Sequence, residues 1–236
     1  MSEAGRYIRG PRMLIEVVVV VASILIAFSL DAWWSRRAEE RTGRAHLQAL
    51  RSDFEQNVAR LHVLIEREDR IASASRRLLL VAVSPTVPSP EDSVSSLLGE
   101  VFNSGRFDPV MGAYEAVVNS GGLSQVRNDS LRLALADFAS LLEGRYNERF
   151  SDEIYFEFIR GFMGQLGFTA AVVASDSLAT ANAAALPLSQ GELLRDPKFR
   201  EHLALRYVAE SGVAASYRGL LEKAERVLHL TGRAIE

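Results

Sequence analysis

From Met13 to Ala32 nearly every position is apolar, MLIEVVVVVASILIAFSLDA, and the apolar residues run round all sides instead of forming one stripe. Twenty residues at about 1.5 Å each give roughly 30 Å, the thickness of a bilayer's hydrocarbon layer. Past Trp33-Trp34 the pattern changes: Leu47, Leu50, Phe54, Val58, Leu61 and Ile65 recur at steps of three and four, the mark of an amphipathic helix. Glu39, Glu40, Arg41, Arg44, Arg51, Asp53 and Glu55 take the other faces, and no proline interrupts Met13 to Val83. The pattern therefore predicts a span that continues outward as one rod. Read as heptads from Leu47 to Leu78, seven of ten seam positions are apolar and Asn57, Glu68 and Ser75 are not. That is imperfect for a coiled coil and suits a helix packed in a bundle.

The rest of the chain divides at prolines and glycines. SPTVPSP, from Ser84 to Pro90, cannot be helix interior. A helix is expected over 91–103, closing near Asn103-Ser104-Gly105, and another over 109–120, opening at Asp108-Pro109 and stopping at Gly121-Gly122. Val110, Ala113, Tyr114, Val117 and Val118 mark the second one's apolar face. Asn128 or Asp129 caps a helix expected over 129–163, with the stripe Leu131, Ala134, Leu135, Phe138, Leu142 running on through Tyr146 and Ile154. The stretch 164–195 carries no clear periodicity. Asp196-Pro197 opens a last helix over 197–234, with Leu203, Tyr207, Val213, Ala214, Tyr217, Leu220, Leu221, Val227 and Leu228 on one broad face. Hairpin signals are missing, so the fold class is all-α: one N-terminal transmembrane helix leading into an elongated helical bundle. In domain terms this is a short basic tail (1–12), a transmembrane helix with a tryptophan belt (13–34) and a helical bundle domain (35–236) that begins with a long helix over 35–83.

Two other readings of the apolar run are weaker. A signal peptide has a shorter apolar core, and although Ala27-Phe28-Ser29 could pass as a cleavage site, this run is too long and holds Glu16. A buried core helix would show a polar stripe. Glu16 lies one turn inside the span, where it can reach the interface near Arg12. Arg6, Arg9 and Arg12 precede the span and Arg36, Arg37, Arg41 and Arg44 follow it, so the basic flanks almost cancel; the lean is to a cytoplasmic N-terminus with a periplasmic domain. Gly161 to Ser175 is uncharged but too short for a second span, with Glu157 and Arg160 blocking extension.

Composition narrows function by exclusion. With 27 basic and 30 acidic residues evenly mixed, no nucleic-acid partner is expected. The chain has no cysteine, which excludes disulfides, thiolate catalysis and cysteine-bound zinc. His62 and Glu66 share a helix face, but a zinc site needs three or four ligands, so they read as a solvated pair. Ser151, Asp152, Glu153 and Glu157 cluster beside Tyr155, Phe156 and Phe158; acids at a helix start before an aromatic face explain them better than acid–base catalysis. Ser120-Gly121-Gly122 reads as a helix stop instead of an anion cradle, and Asn128-Asp129-Ser130 matches a glycosylation sequon without bacterial meaning. No catalytic, cofactor-binding or metal-binding residues are assigned, and no cofactor is expected.

The run Ile15-Glu16-Val17, then Ile24-Leu25-Ile26-Ala27-Phe28, Asp31 and Trp33-Trp34, resembles an uncharacterised family of bacterial single-span membrane proteins. The likeness continues in Leu47, Leu50, Glu55 and Asn57, returns at Ala113-Tyr114-Glu115, Ser120 to Leu123 and Asn128 to Leu133, and again at Arg195 to Arg200. Ile15 stands where the family has a glycine. The resemblance implies a protein of the bacterial inner membrane and transfers no catalytic residue. The expected function is non-enzymatic: a membrane-anchored helical module, with the bilayer as partner through Met13–Ala32, that binds another protein or its own copies. A ligand-sensing bundle signalling through a partner is the alternative, and a membrane-surface enzyme comes last.

Overall fold

The computed structural model describes residues 10–83, 91–119, 128–162 and 190–235, with the side chains of 10–15, 91–93, 95 and 190 left aside. Every regular element among them is a helix: α1 Gly10–Val83, α2 Glu91–Val101, α3 Gly112–Asn119, α4 Asp129–Glu143, α5 Tyr146–Phe162, α6 Gln190–Arg195 and α7 Pro197–Ile235. The fold is all-α, as its hydrophobic pattern predicts. At 74 residues, α1 runs unbroken for about 111 Å.

The frame of the molecule is an antiparallel hairpin of α1 and α7. His62 faces Glu225 and Asp69 faces Arg218, so one heptad up α1 matches one heptad down α7. On α7 the buried residues Phe199, Leu203, Arg206, Glu210, Val213, Tyr217, Leu220, Ala224, Val227 and Thr231 step by four and three throughout. On α1 the matching seam is buried from Leu50 to Leu78, including all three polar positions. The heptad is thus complete in burial, though not in hydrophobicity.

Two apolar clusters fill the bundle. The first gathers Leu50, Phe54, Leu61 and Leu64 of α1, Leu131, Leu135 and Phe138 of α4, and Val213 to Val227 of α7, with Phe54 edge-on to Phe138 at 4.9 Å. The second joins Leu78, Val94, Leu98, Phe158, Phe162, Leu193, Phe199 and Leu203, where the rings of Phe162 and Phe199 meet edge to face at 5.1 Å. Each aromatic pair of this kind adds about 0.5–1.5 kcal/mol beyond its burial.

Several boundaries differ from those the sequence suggests. The helix expected over 91–103 ends at Val101, and the one expected over 109–120 begins only at Gly112. Asp108-Pro109 looks like a helix start, but both polar backbone groups of Val110 are held by Asn57, and Asp53 of α1 accepts from Ala113 N at 2.7 Å. Asp53, expected on a solvent face, therefore serves as a cap for α3. The single helix expected over 129–163 is two, because Gly144-Arg145 breaks it and Arg145 turns to the carbonyls of Leu142 and Phe107. Asn128 does cap α4, accepting from Leu131 N, and Asp196 accepts from Lys198 N at the start of α7. The last helix reaches Ile235, but Tyr207 is exposed while Arg206 and Glu210 take its expected place inside. Within 164–195 α6 is an element the sequence did not announce. The proline run 84–90, Gly121-Gly122 and most of Gly161–Ser175 lie outside the described residues.

Candidate functional site

Two regions stand apart from ordinary core. The first is α1 before the bundle. Val17 to Trp34 is exposed throughout, with Phe28 at 69% and Ile26 at 68%, so none of the described residues covers the apolar run. Among the described residues α1 is the one helix long and apolar enough to cross a membrane. The two hydroxyls of the apolar run are satisfied internally, Ser23 donating to Val19 O and Ser29 to Leu25 O, both at 2.7 Å. That is the arrangement a polar group needs where no water is available. Trp33 and Trp34 are half exposed or more, and the Arg37 guanidinium sits 5.5 Å over the Trp33 ring. Glu16 is exposed as well.

The second is a polar waist between the two apolar clusters. Its centre is the non-helical loop Phe102–Met111, whose backbone groups are met by side chains from three helices. From α1, Asn57 makes paired bonds with Val110, donating at 2.9 Å and accepting at 2.7 Å, and Arg60 donates to Asp108 O at 2.7 Å. From α5, Tyr155 donates to Phe102 O at 3.3 Å and Glu148 accepts from Phe107 N at 3.1 Å. From α7, Arg206 donates to the carbonyls of Val101 and Asn103, while the Tyr217 hydroxyl accepts from Phe107 N and donates to Glu148 at 2.5 Å. Arg145 closes the ring, 3.0 Å from Glu148 and 2.7 Å from Phe107 O. Phe107 is the buried residue of the loop, and both its backbone groups are met by these partners.

Beneath the loop lies a charged group with almost no solvent. Arg206, Glu68 and Glu210 are each 1–2% exposed; Arg206 pairs with Glu210, and Ser151 donates to Glu210 at 2.6 Å. The Arg206 guanidinium also lies 4.8 Å over the Tyr155 ring. Burial pushes the Glu68 carboxyl up to about 9, helped by its hydrogen bond to Glu210 and the charge there. The Glu68 carboxyl is thereby held far above the ordinary carboxylate range, close to the Arg206–Glu210 pair, with its Oε1 buried and without a hydrogen-bond partner among the described residues. Burial lowers the pKa of Arg206 and raises that of Tyr155; burial and the bond to Glu148 raise that of Tyr217. A guanidinium remains charged through such a shift.

The residues singled out from the sequence are dispersed. His62 looks across to Glu225 at 4.0 Å, not along its own helix to Glu66. The acidic cluster 151–157 sits mid-helix in α5, not at its start: Ser151 is buried on Glu210, Asp152 pairs with Arg106, Phe158 is core and Phe156 is exposed. No group of three or more potential ligands gathers among the described residues. The waist residues Arg206, Glu210, Glu148 and Tyr217 were missed as a set. The signal was there in Glu68 and Asn57, polar residues at heptad positions that ask for a polar answer across the seam.

Fold and waist together define an all-α bundle built on a polar-waisted antiparallel hairpin, carried at the end of a long apolar-tipped helix. A family model described as a family of unknown function (DUF6090) matches residues 16–159, from the apolar run through most of α5, and the chain belongs to that family. No curated protein and no solved structure matches the chain.

Proposed function

We propose that the chain is a single-span anchor of the bacterial inner membrane whose bundle, without enzymatic activity, binds another protein or further copies of itself. The observation that supports this is the continuity of α1. One helix carries the exposed apolar run and, without a break, half of the bundle's central seam. An exposed apolar cylinder of this length matches the thickness of a bilayer's hydrocarbon layer. Between Trp34 and Leu47 the helix stands clear of the described bundle for about 20 Å, and Ser35 to Ala45 is largely polar and exposed apart from a half-buried Gly43. The bundle is thereby held off the headgroups, its sides free for a partner, and the tight polar waist gives it a fixed shape to present.

Because the chain has no cysteine, single-cysteine variants give clean reporters. Leu133→Cys, on the exposed side of α4, should stay in the membrane fraction until detergent is added. In intact cells it should react with a membrane-impermeant maleimide if the domain is periplasmic. Bifunctional maleimide crosslinking of membranes carrying it should yield one discrete adduct. A chain found in the aqueous fraction without detergent, or one that remains monomeric and uncrosslinked from a set of such sites, sinks the proposal.

A further inference from the structure

Beside the waist an open groove of about 410 Å³ lies between α1 and the tip of the loop, lined by Ala59, Arg60, Val63, Leu64, Arg106, Phe107 and Asp108. We propose that this groove binds a small organic anion with an apolar body, of the aryl- or alkyl-carboxylate class. The inference is separate from membrane tethering and from any protein partner.

The floor and wall are apolar. Leu64 and Phe107 form the base, and Val63, 58% exposed, stands beside them. An isolated exposed valine is ordinary, but here it borders a concavity within the usual size range of small-molecule sites. The rim carries two guanidiniums, Arg60 and Arg106, beside the carboxylate of Asp108, with Arg106 paired to Asp152. Each guanidinium is steadied by a bond to the protein, Arg60 to Asp108 O and Arg106 to Asp152, and each keeps further N–H donors for a ligand. A carboxylate suits that planar, forked donor set, and the apolar body would lie on Val63 and Phe107.

The groove is also preformed. Phe107 is held through its N–H by Glu148 and Tyr217 and through its carbonyl by Arg145, and Val110 is held twice by Asn57. Binding would therefore require little ordering of the loop. Gly105 keeps the neighbouring surface close: a Cβ there would come within 2.5 Å of Arg67 Nη1 and 3.1 Å of Leu64 Cδ2. An occupant would bridge α1 to a loop fastened to α5 and α7.

The test uses the full chain in nanodiscs of neutral lipid, with empty discs as reference, and two probes of equal shape, 2-naphthoate and 2-naphthylmethanol. Calorimetry should show saturable binding of one naphthoate per chain and at least tenfold weaker binding of the alcohol. Arg60→Gln with Arg106→Gln should bring naphthoate down to the level of the alcohol, and Val63→Trp, which fills the groove from an exposed position, should abolish both. Circular dichroism confirms that both variants keep their helices. The proposal is overturned if naphthoate shows no saturable binding, if the alcohol binds as well as the acid, or if Val63→Trp leaves naphthoate binding unchanged.

Discussion

Along the same α1–α7 seam, the stretch near Leu50 to Leu64 and the stretch near Glu68 are packed on opposite principles. In the first, Phe54, Leu61, Phe138 and Val227 exclude water by size and shape, with Asn57 and Thr231 as polar intruders. In the second, Glu68, Arg206, Glu210 and Ser151 are buried too, Arg206 and Ser151 both held to Glu210, while Glu68 keeps one buried oxygen without a hydrogen-bond partner among the described residues. Apolar packing degrades gradually when trimmed. A buried ionic group fails sharply when one member is lost, since the remaining charge has no water to turn to. The difference teaches where stability and where specificity of the hairpin reside.

Breaking the ionic half should have the largest effect. Arg206→Met leaves Glu210 unpaired and the carbonyls of Val101 and Asn103 unmet, and should cost about 3–5 kcal/mol in denaturant unfolding of the full chain in detergent. Adding Glu68→Leu and Glu210→Leu to it should recover the part of that loss that comes from the unpaired charge, leaving the part that comes from the unmet carbonyls. In the apolar half, Phe54→Ala should cost about 3–4 kcal/mol, with no such rescue by any second apolar substitution nearby.

A subtler test is the pH dependence. The folded Glu68 carboxyl titrates near 9, far above its unfolded value of 4.5, so between those points the folded chain holds a proton that the unfolded chain has released. Stability from this group is complete below about pH 4.5 and declines as pH rises towards 9. Glu68→Gln should flatten that decline, melting higher than the parent at pH 8 and close to it at pH 4. A parent and variant with parallel melting curves across this range would mean that Glu68 is ionised in the fold. The smallest effect is expected at the surface: Asp69→Asn, which breaks the half-exposed pair with Arg218, should change stability by under about 1 kcal/mol.

Much of this frame was legible in the sequence. The unbroken run from Met13 to Val83 announced α1, the stripe Leu131 to Phe138 announced α4, and Asn128 and Asp196-Pro197 announced two helix starts. These are local signals, carried by residues within a turn or two of one another. What escaped was non-local. Asn57 and Glu68 counted against a regular seam because their partners lie 53 residues on at Val110 and over a hundred residues on at Arg206 and Glu210. Asp108-Pro109 looked like a helix start for the same reason: the true cap, Asp53, sits on a different helix. Gly144 alone was too weak a break signal to divide α4 from α5, since what turns the chain is Arg145 reaching for Phe107. The groove residues Arg60, Val63 and Arg106 carry no pattern at all until the loop folds over α1.

The bare polar stretch of α1 between Trp34 and Leu47 has one more implication, for geometry at a surface. If lipid begins at the tryptophans, the lowest described part of the bundle rides some 20 Å above the headgroups, on a stem that is one helix wide among the described residues. A companion lying flat on the bilayer would slip underneath without touching α4 or α7. Only something of comparable height, or a second stalked copy standing alongside, could meet those sides squarely.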